Sequence, residues 1–137
     1  MDKYIGKSVK TNEWITASNI IRDPKRGDTY IIPDLFNLET LNLNKKQLNK
    51  YKVDNSSVGV AIGADKGGQT IYSGDIVRIS YYGRKPLNNK RQTAVATVIF
   101  DKDAKIYYMK SGEGVFLFDG DAQHLISSIS RVGRAED

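Results

Sequence analysis

The chain has few residues able to do covalent or metal chemistry. It has one histidine, His124, and no cysteine. Without cysteine there are no disulfides, no thiolate metal sites and no thiol nucleophile. A Ser-His-Asp relay has to use His124, and no serine stands in a nucleophile-elbow pattern. Asp119, Asp121 and His124 offer metal-ligating types at close spacing, but three such residues in one loop lack the ligand number and supporting partners of a built site. Asp101, Asp103 and Lys105 begin like a calcium loop, yet Ile106 stands where that loop needs Gly, and no bidentate Glu follows. Gly63 to Gly68 is glycine-rich, but Gly67-Gly68-Gln69-Thr70 lacks the Lys-Ser/Thr and helix of a phosphate loop. Gly74-Asp75 reads as a turn whose Asp bonds local N–H groups, since a catalytic carboxylate needs a visible partner. The chain is therefore expected not to be an enzyme, with no cofactor; a metal-dependent hydrolase is the weak alternative.

The remaining chemistry is electrostatic. From Ile76 to Phe100 there is no acidic residue, while Arg78, Arg84, Lys85, Lys90 and Arg91 all fall inside, with Tyr81 and Tyr82 at the edge of the loop. If 76–82 and 93–100 pair as a hairpin, residues 83–91 project as a basic finger able to track phosphates, and a flanking tyrosine can stack on a base. These seven residues are the candidate nucleic-acid-binding site. The competing reading is a solvated hairpin tip kept soluble by charge.

The elements that must position these residues are strands. Around 14–32, the runs Glu13-Trp14-Ile15, Ser18-Asn19-Ile20-Ile21 and Thr29-Tyr30-Ile31-Ile32 flank the turn Asp23-Pro24-Lys25-Arg26-Gly27-Asp28, which predicts a hairpin with a polar tip. Residues 34–50 read as a connector, with one turn of helix over Lys45 to Lys50. Val58, Val60 and Ile62 alternate with small residues as a half-buried strand. From 71 to 132 about five short strands are joined by tight turns. A turn, then Gly-Asp-Ile-Val, a basic loop, three meandering strands, a one-turn helix and a last strand over Leu125 to Val132 is the order of an SH3-like barrel. The predicted fold is mainly β, with little helix: an N-terminal β-hairpin region and connector over 1–52, and a small SH3-like β-barrel over 53–137, packed as one folding unit. Trp14, Tyr30, Tyr107, Phe116 and Phe118 are expected in the core.

Composition sets the outer limits. The 137 residues are 39% hydrophobic and 27% charged, a globular balance of single-domain size. No stretch approaches the roughly 20 apolar residues of a membrane helix. Met1 to Lys10 lacks the apolar segment of a signal peptide, so the expected location is cytoplasmic, without membrane contact. A net charge of +5 favours solubility and weak attraction to polyanions.

One resemblance adds a setting. Val53-Asp54-Asn55-Ser56-Ser57-Val58-Gly59, followed by Gly63, Asp65-Lys66, Gly68 and Ile71-Tyr72-Ser73-Gly74-Asp75-Ile76-Val77, is similar to the signature of the YopX-like family. Lys3-Tyr4-Ile5-Gly6-Lys7, Thr11-Asn12-Glu13-Trp14-Ile15 and Tyr30-Ile31-Ile32-Pro33 resemble its N-terminal half, and Ala96-Thr97-Val98-Ile99-Phe100 a later strand. The glycine turn is one residue shorter than the family's, and the tail Ser130 to Asp137 departs from its pattern. The resemblance implies a protein of bacteriophages, prophages or bacterial mobile elements acting in the host cell, and carries no activity or catalytic residue with it. The residues themselves, with no catalytic set and one basic loop, point to a binding module, with nucleic acid, a phage or host protein, or further copies of itself as expected partners.

Overall fold

The computed structural model describes residues 2–33, 48–83, 90–112 and 114–134. Among them the chain is mainly β, with two short 3-10 turns at Asn49–Tyr51 and Asn55–Ser57. It divides into two compact units, Met1–Ala61 and Ile62–Asp137. Most of the connector lies outside the described residues, including the first half of the helical turn expected over 45–50; its last residues enter the 3-10 turn Asn49–Tyr51.

In the first unit, β1 (Tyr4–Lys7) pairs antiparallel with β2 (Trp14–Ala17) and with the start of β6 (Gly59–Ala64). The expected hairpin is β3 (Asn19–Arg22) with β4 (Thr29–Ile32), in register from Asn19↔Ile32 to Arg22↔Thr29. Its turn closes through Asp23, whose carboxylate accepts from the Lys25 N–H at 2.9 Å. On its other side β4 pairs with β5 (Lys52–Val53). Buried Ala17, Ile31 and Val53 form a small core, with Tyr4, Ile15, Ile20 and Val58 packed on it. Trp14 and Tyr30 are only partly buried, because each stands on a short strand with one side open to solvent.

In the second unit, the end of β6 and β7 (Thr70–Tyr72) are neighbours across the glycine turn. The main sheet runs β11-β10-β9-β8-β12 and curls into a half-barrel. Its strands are β8 (Asp75–Gly83), β9 (Gln92–Asp101), β10 (Ile106–Ser111), β11 (Gly114–Phe116) and β12 (His124–Arg134). Strict alternation drives this. Val77 and Ile79 point inward opposite Ala96 and Ala94. A large side chain against a small one lets the inner face tighten without voids. Phe116 and Met109 complete the core, and Tyr107 and Phe118 sit at its margin. Residues 117–123 form a turn, Gly120 N–H to Leu117 carbonyl at 3.0 Å, where the barrel order predicts a turn of helix.

Strand β12 is irregular in a way that matters. Register shifts fall between Ile126 and Ser128 and between Arg131 and Gly133. Each inserts one extra residue, Ser127 and Val132. Residues three apart on a regular strand face opposite sides; across a bulge they face the same side. Ile126 and Ile129 thus both point inward opposite Tyr81 and Ile79, and Arg131 and Arg134 both reach the inner side opposite Val77 and Asp75.

Packing in the first unit is tight enough to test. A Cβ at Gly6 meets Ile31 Cδ1 at 2.8 Å and Val53 Cβ at 3.0 Å, and both of those side chains are buried. Gly6→Ala is expected to destabilise by about 1–3 kcal/mol through overpacking, read as a lower urea midpoint at unchanged slope. A neutral substitution overturns the packing account.

Candidate nucleic-acid interface

Alternation along β8 decides which of the sequence-proposed residues face solvent. Val77, Ile79 and Tyr81 fill the core, so Arg78, Ser80 and Tyr82 face out. Arg78 is exposed, between Val95 on β9 and Ser130 on β12. Ser80 lies between Thr93 and Ser128, and Arg91 folds over it, donating from Nη2 to Ser80 Oγ at 2.9 Å. Tyr82 is half-buried beside Leu125, and Lys90 is exposed. Among the described residues, neither Arg78 nor Lys90 is part of an ion pair. Arg84 and Lys85 lie outside the described residues.

Tyr81 does not belong to this surface. Its side chain is 6% exposed, its ring packs on Phe116 at 4.9 Å, and its hydroxyl bonds Gln92 Oε1 at 3.1 Å. It shares parity with Val77 and Ile79, so its ring face is closed to a base. Tyr108 and Lys110, which sequence reading left aside, do reach the outer side: Tyr108 pairs with Ile99, and Lys110 with Thr97.

Asp75, Asp65 and Asp121 each accept bonds that hold the second unit together. Asp75 is fully buried and takes three kinds of contact. Arg134 Nη1 reaches Oδ1 at 2.7 Å, Arg131 Nε reaches Oδ2 at 2.9 Å, and the Tyr72 N–H donates to Oδ2 at 2.8 Å. Arg134 also donates to the Ser73 carbonyl at 3.0 Å. The turn contact is the one expected from Gly74-Asp75; the two arginines are what the sequence did not reveal. Asp65, in the glycine turn, accepts from the N–H groups of Gly67 and Gln69, and with its second oxygen from the Arg131 N–H at 3.0 Å. The Arg131 N–H first, then those turn N–H groups, outweigh desolvation and hold the Asp65 carboxyl below its ordinary range.

Asp121 and His124 form a close pair, Nδ1 to Oδ1 at 2.9 Å, with the imidazole on the Phe116 ring at 4.3 Å. The Asp121 carboxylate also accepts from the N–H groups of Gln123, His124 and Leu117. Burial disfavours its charge, but the His124 side chain and these N–H groups outweigh it, so its pKa is lowered. With both oxygens engaged, Asp121 acts as the cap of a turn. Among the described residues no three of His, Cys, Asp and Glu gather as a metal site.

The second unit also has a cleft of about 650 Å³ lined by Ile62, Ile71, Tyr107, Leu117, Phe118 and Ile129, among others, with Asp119 at its rim. Asp119 is its one carboxylate among the described lining residues. The described residues include no helix long and apolar enough to cross a membrane. Comparison with protein-family models, with curated proteins and with solved structures finds no match.

Two outcomes follow from these contacts. Asp75→Ala leaves two cations facing a vacated interior site and is expected to cost about 3–5 kcal/mol, the range for breaking a buried ion pair; urea unfolding with a loss below about 1 kcal/mol overturns the clamp. For Asp121 the folded-state pKa is depressed, so its stabilisation is present above the ordinary value of 3.8 and disappears as pH falls below it. The melting temperature of Asp121→Asn is therefore expected to fall less steeply than wild type on acidification below that value.

Proposed function

We propose that this chain is a non-catalytic binding module that contacts nucleic acid, or a complex carrying nucleic acid, through the basic β8–β9 hairpin. The observation that carries the reading is the segregation of charge on that hairpin. Arg78, Lys90 and Arg91 are exposed, Tyr82 stands half-open beside them, and no carboxylate occurs from Ile76 to Phe100. Arg84 and Lys85 add two cations in sequence. A cationic surface with an accessible aromatic ring supplies phosphate attraction and base stacking together. The resemblance to the YopX-like family around residues 53–77 supports a phage or prophage origin, with the module working as an accessory factor in the cytoplasm of the bacterial host.

Protein–protein contact has its own supporting observation. Ile106, Val115 and Leu117 are 47%, 50% and 40% exposed along β10, β11 and the segment after it, and β11 ends the sheet. An apolar strip at a sheet edge favours association with a phage or host protein or with a second copy. Sedimentation velocity over a concentration series tests the second-copy form: a dimer dispersed by Val115→Lys supports it, and a monomer at all concentrations removes it.

The nucleic-acid reading is tested with labelled DNA and RNA, single- and double-stranded, at low and moderate salt. Wild type is expected to bind, with log K falling linearly in log salt by about 0.7–0.9 per phosphate contact. Arg84→Glu/Lys85→Glu/Lys90→Glu/Arg91→Glu is expected to bind at least tenfold more weakly, with a shallower salt slope. Absence of binding at low salt overturns the reading.

A further inference from the structure

The outer side of the hairpin continues across the whole main sheet, and carboxylates stay scarce along it. The five strands contain two carboxylates, Asp75 and Asp101. Asp75 is buried beneath two arginines. Asp101 is the last residue of β9 and holds the following turn, accepting from the N–H groups of Asp103 and Ala104. What remains on the outer side is cationic, hydroxylic and aromatic, interspersed with the exposed aliphatic side chains of Val95, Leu125, Val115 and Ile106. Register sets Ile76, Thr97 and Lys110 in one row, Ser130, Arg78 and Val95 in the next, then Ser128, Ser80 and Thr93, then Leu125 and Tyr82. Tyr108 and Ile99 form the row beyond Lys110.

We infer that this face is the binding platform and that its ligand is single-stranded nucleic acid. The inference rests on the nucleic-acid reading of the hairpin and names the class of nucleic acid and the surface it occupies. Tyr82 and Tyr108 mark opposite corners. Eight residues of strand rise and two strand spacings separate them by about 25–30 Å along a diagonal, which is the scale of a site several nucleotides long. Arg91, Arg78 and Lys110 lie between, on successive rows, positioned to meet phosphates. Thr93, Thr97, Ser128 and Ser130 line the same path with hydroxyl donors. Tyrosines half-sunk in a sheet stack only on bases that are not already stacked in a duplex. Single strands satisfy this condition. The closed ring of Tyr81, on the other side of the sheet, takes no part.

The test uses the full chain and labelled pyrimidine oligonucleotides of about 12 nucleotides, as DNA and as RNA, each also annealed to its complement. Single strands are expected to bind at least tenfold tighter than duplexes, and the tighter of the two sugars identifies the natural ligand. Tyr82→Ala/Tyr108→Ala is expected to lose tenfold or more in single-strand affinity, and Tyr82→Phe/Tyr108→Phe to retain it, since the phenyl ring keeps the stacking face. The Phe pair also guards against loss of fold in the Ala pair. Arg78→Glu/Lys110→Glu is expected to weaken binding and flatten its salt dependence. Duplex binding equal to single-strand binding, or single-strand binding unchanged in both the Ala and the Glu variants, overturns the platform. If the hairpin charge reversal still abolishes binding in that case, the hairpin reading survives; a wild-type protein that binds no oligonucleotide overturns the hairpin reading itself.

Discussion

An ionised carboxylate removed from water costs several kcal/mol unless cations and N–H groups surround it. Asp75 is fully buried at the first position of β8, and its compensation comes from the far end of the chain: Arg131 and Arg134 lie 56 and 59 residues away. Meeting that requirement fixes much of the second unit. The Gly74 N–H bonds the Val98 carbonyl at 2.7 Å, and Gly74 takes φ of +91° where a Cβ would sit 2.7 Å from Arg134 Nη2, so glycine is required there on two counts. The last residues of β12 must lie against the start of β8 for both guanidinium groups to arrive. β12 must also carry a bulge at Val132, because without one Arg131 and Arg134 face opposite sides of the sheet. The neighbouring strands β8 and β12, first and last of this sheet in chain order, are locked by one side chain.

Period-2 patterning made the strands legible, and turn chemistry made their ends legible. Thr93 to Phe100, Ile106 to Lys110 and the turn at Asp23–Asp28 stand close to where their residue types put them. The same rule, carried one step further, separates Tyr81 from Tyr82: Val77 and Ile79 fix the inward phase of β8, and Tyr81 shares it. That signal lay in the sequence. The arginine clamp did not. Read with a regular period, Arg131 falls in phase with Ile129 while Arg134 falls on the other face; only the bulge brings the two together, and Gly133 is its one local hint, with no sign of Asp75 as the target. Asp65 is a similar case. The glycine turn around it was legible from its residue types, but its bond to the Arg131 N–H spans 66 residues and belongs to tertiary structure.

The acidic residues explain why the sheet is basic. In Asp23, Asp54, Asp65, Asp101 and Asp121 the carboxylate accepts the N–H two residues onward, at 2.8–3.0 Å. This is the local bond that makes aspartate a turn residue, and it competes with strand pairing rather than joining it. A chain that uses aspartate to close its turns places negative charge at the ends of strands and leaves the strand interiors to other residues. With Asp75 neutralised inside, the uncompensated part of the net charge of +5 is carried by cations that have no neighbouring carboxylate. On the main sheet those are Arg78 and Lys110, joined at its rim by Lys90 and Arg91. The electrostatic character of the outer face is thus a consequence of how the turns and the buried clamp are built, and it persists wherever those elements fold.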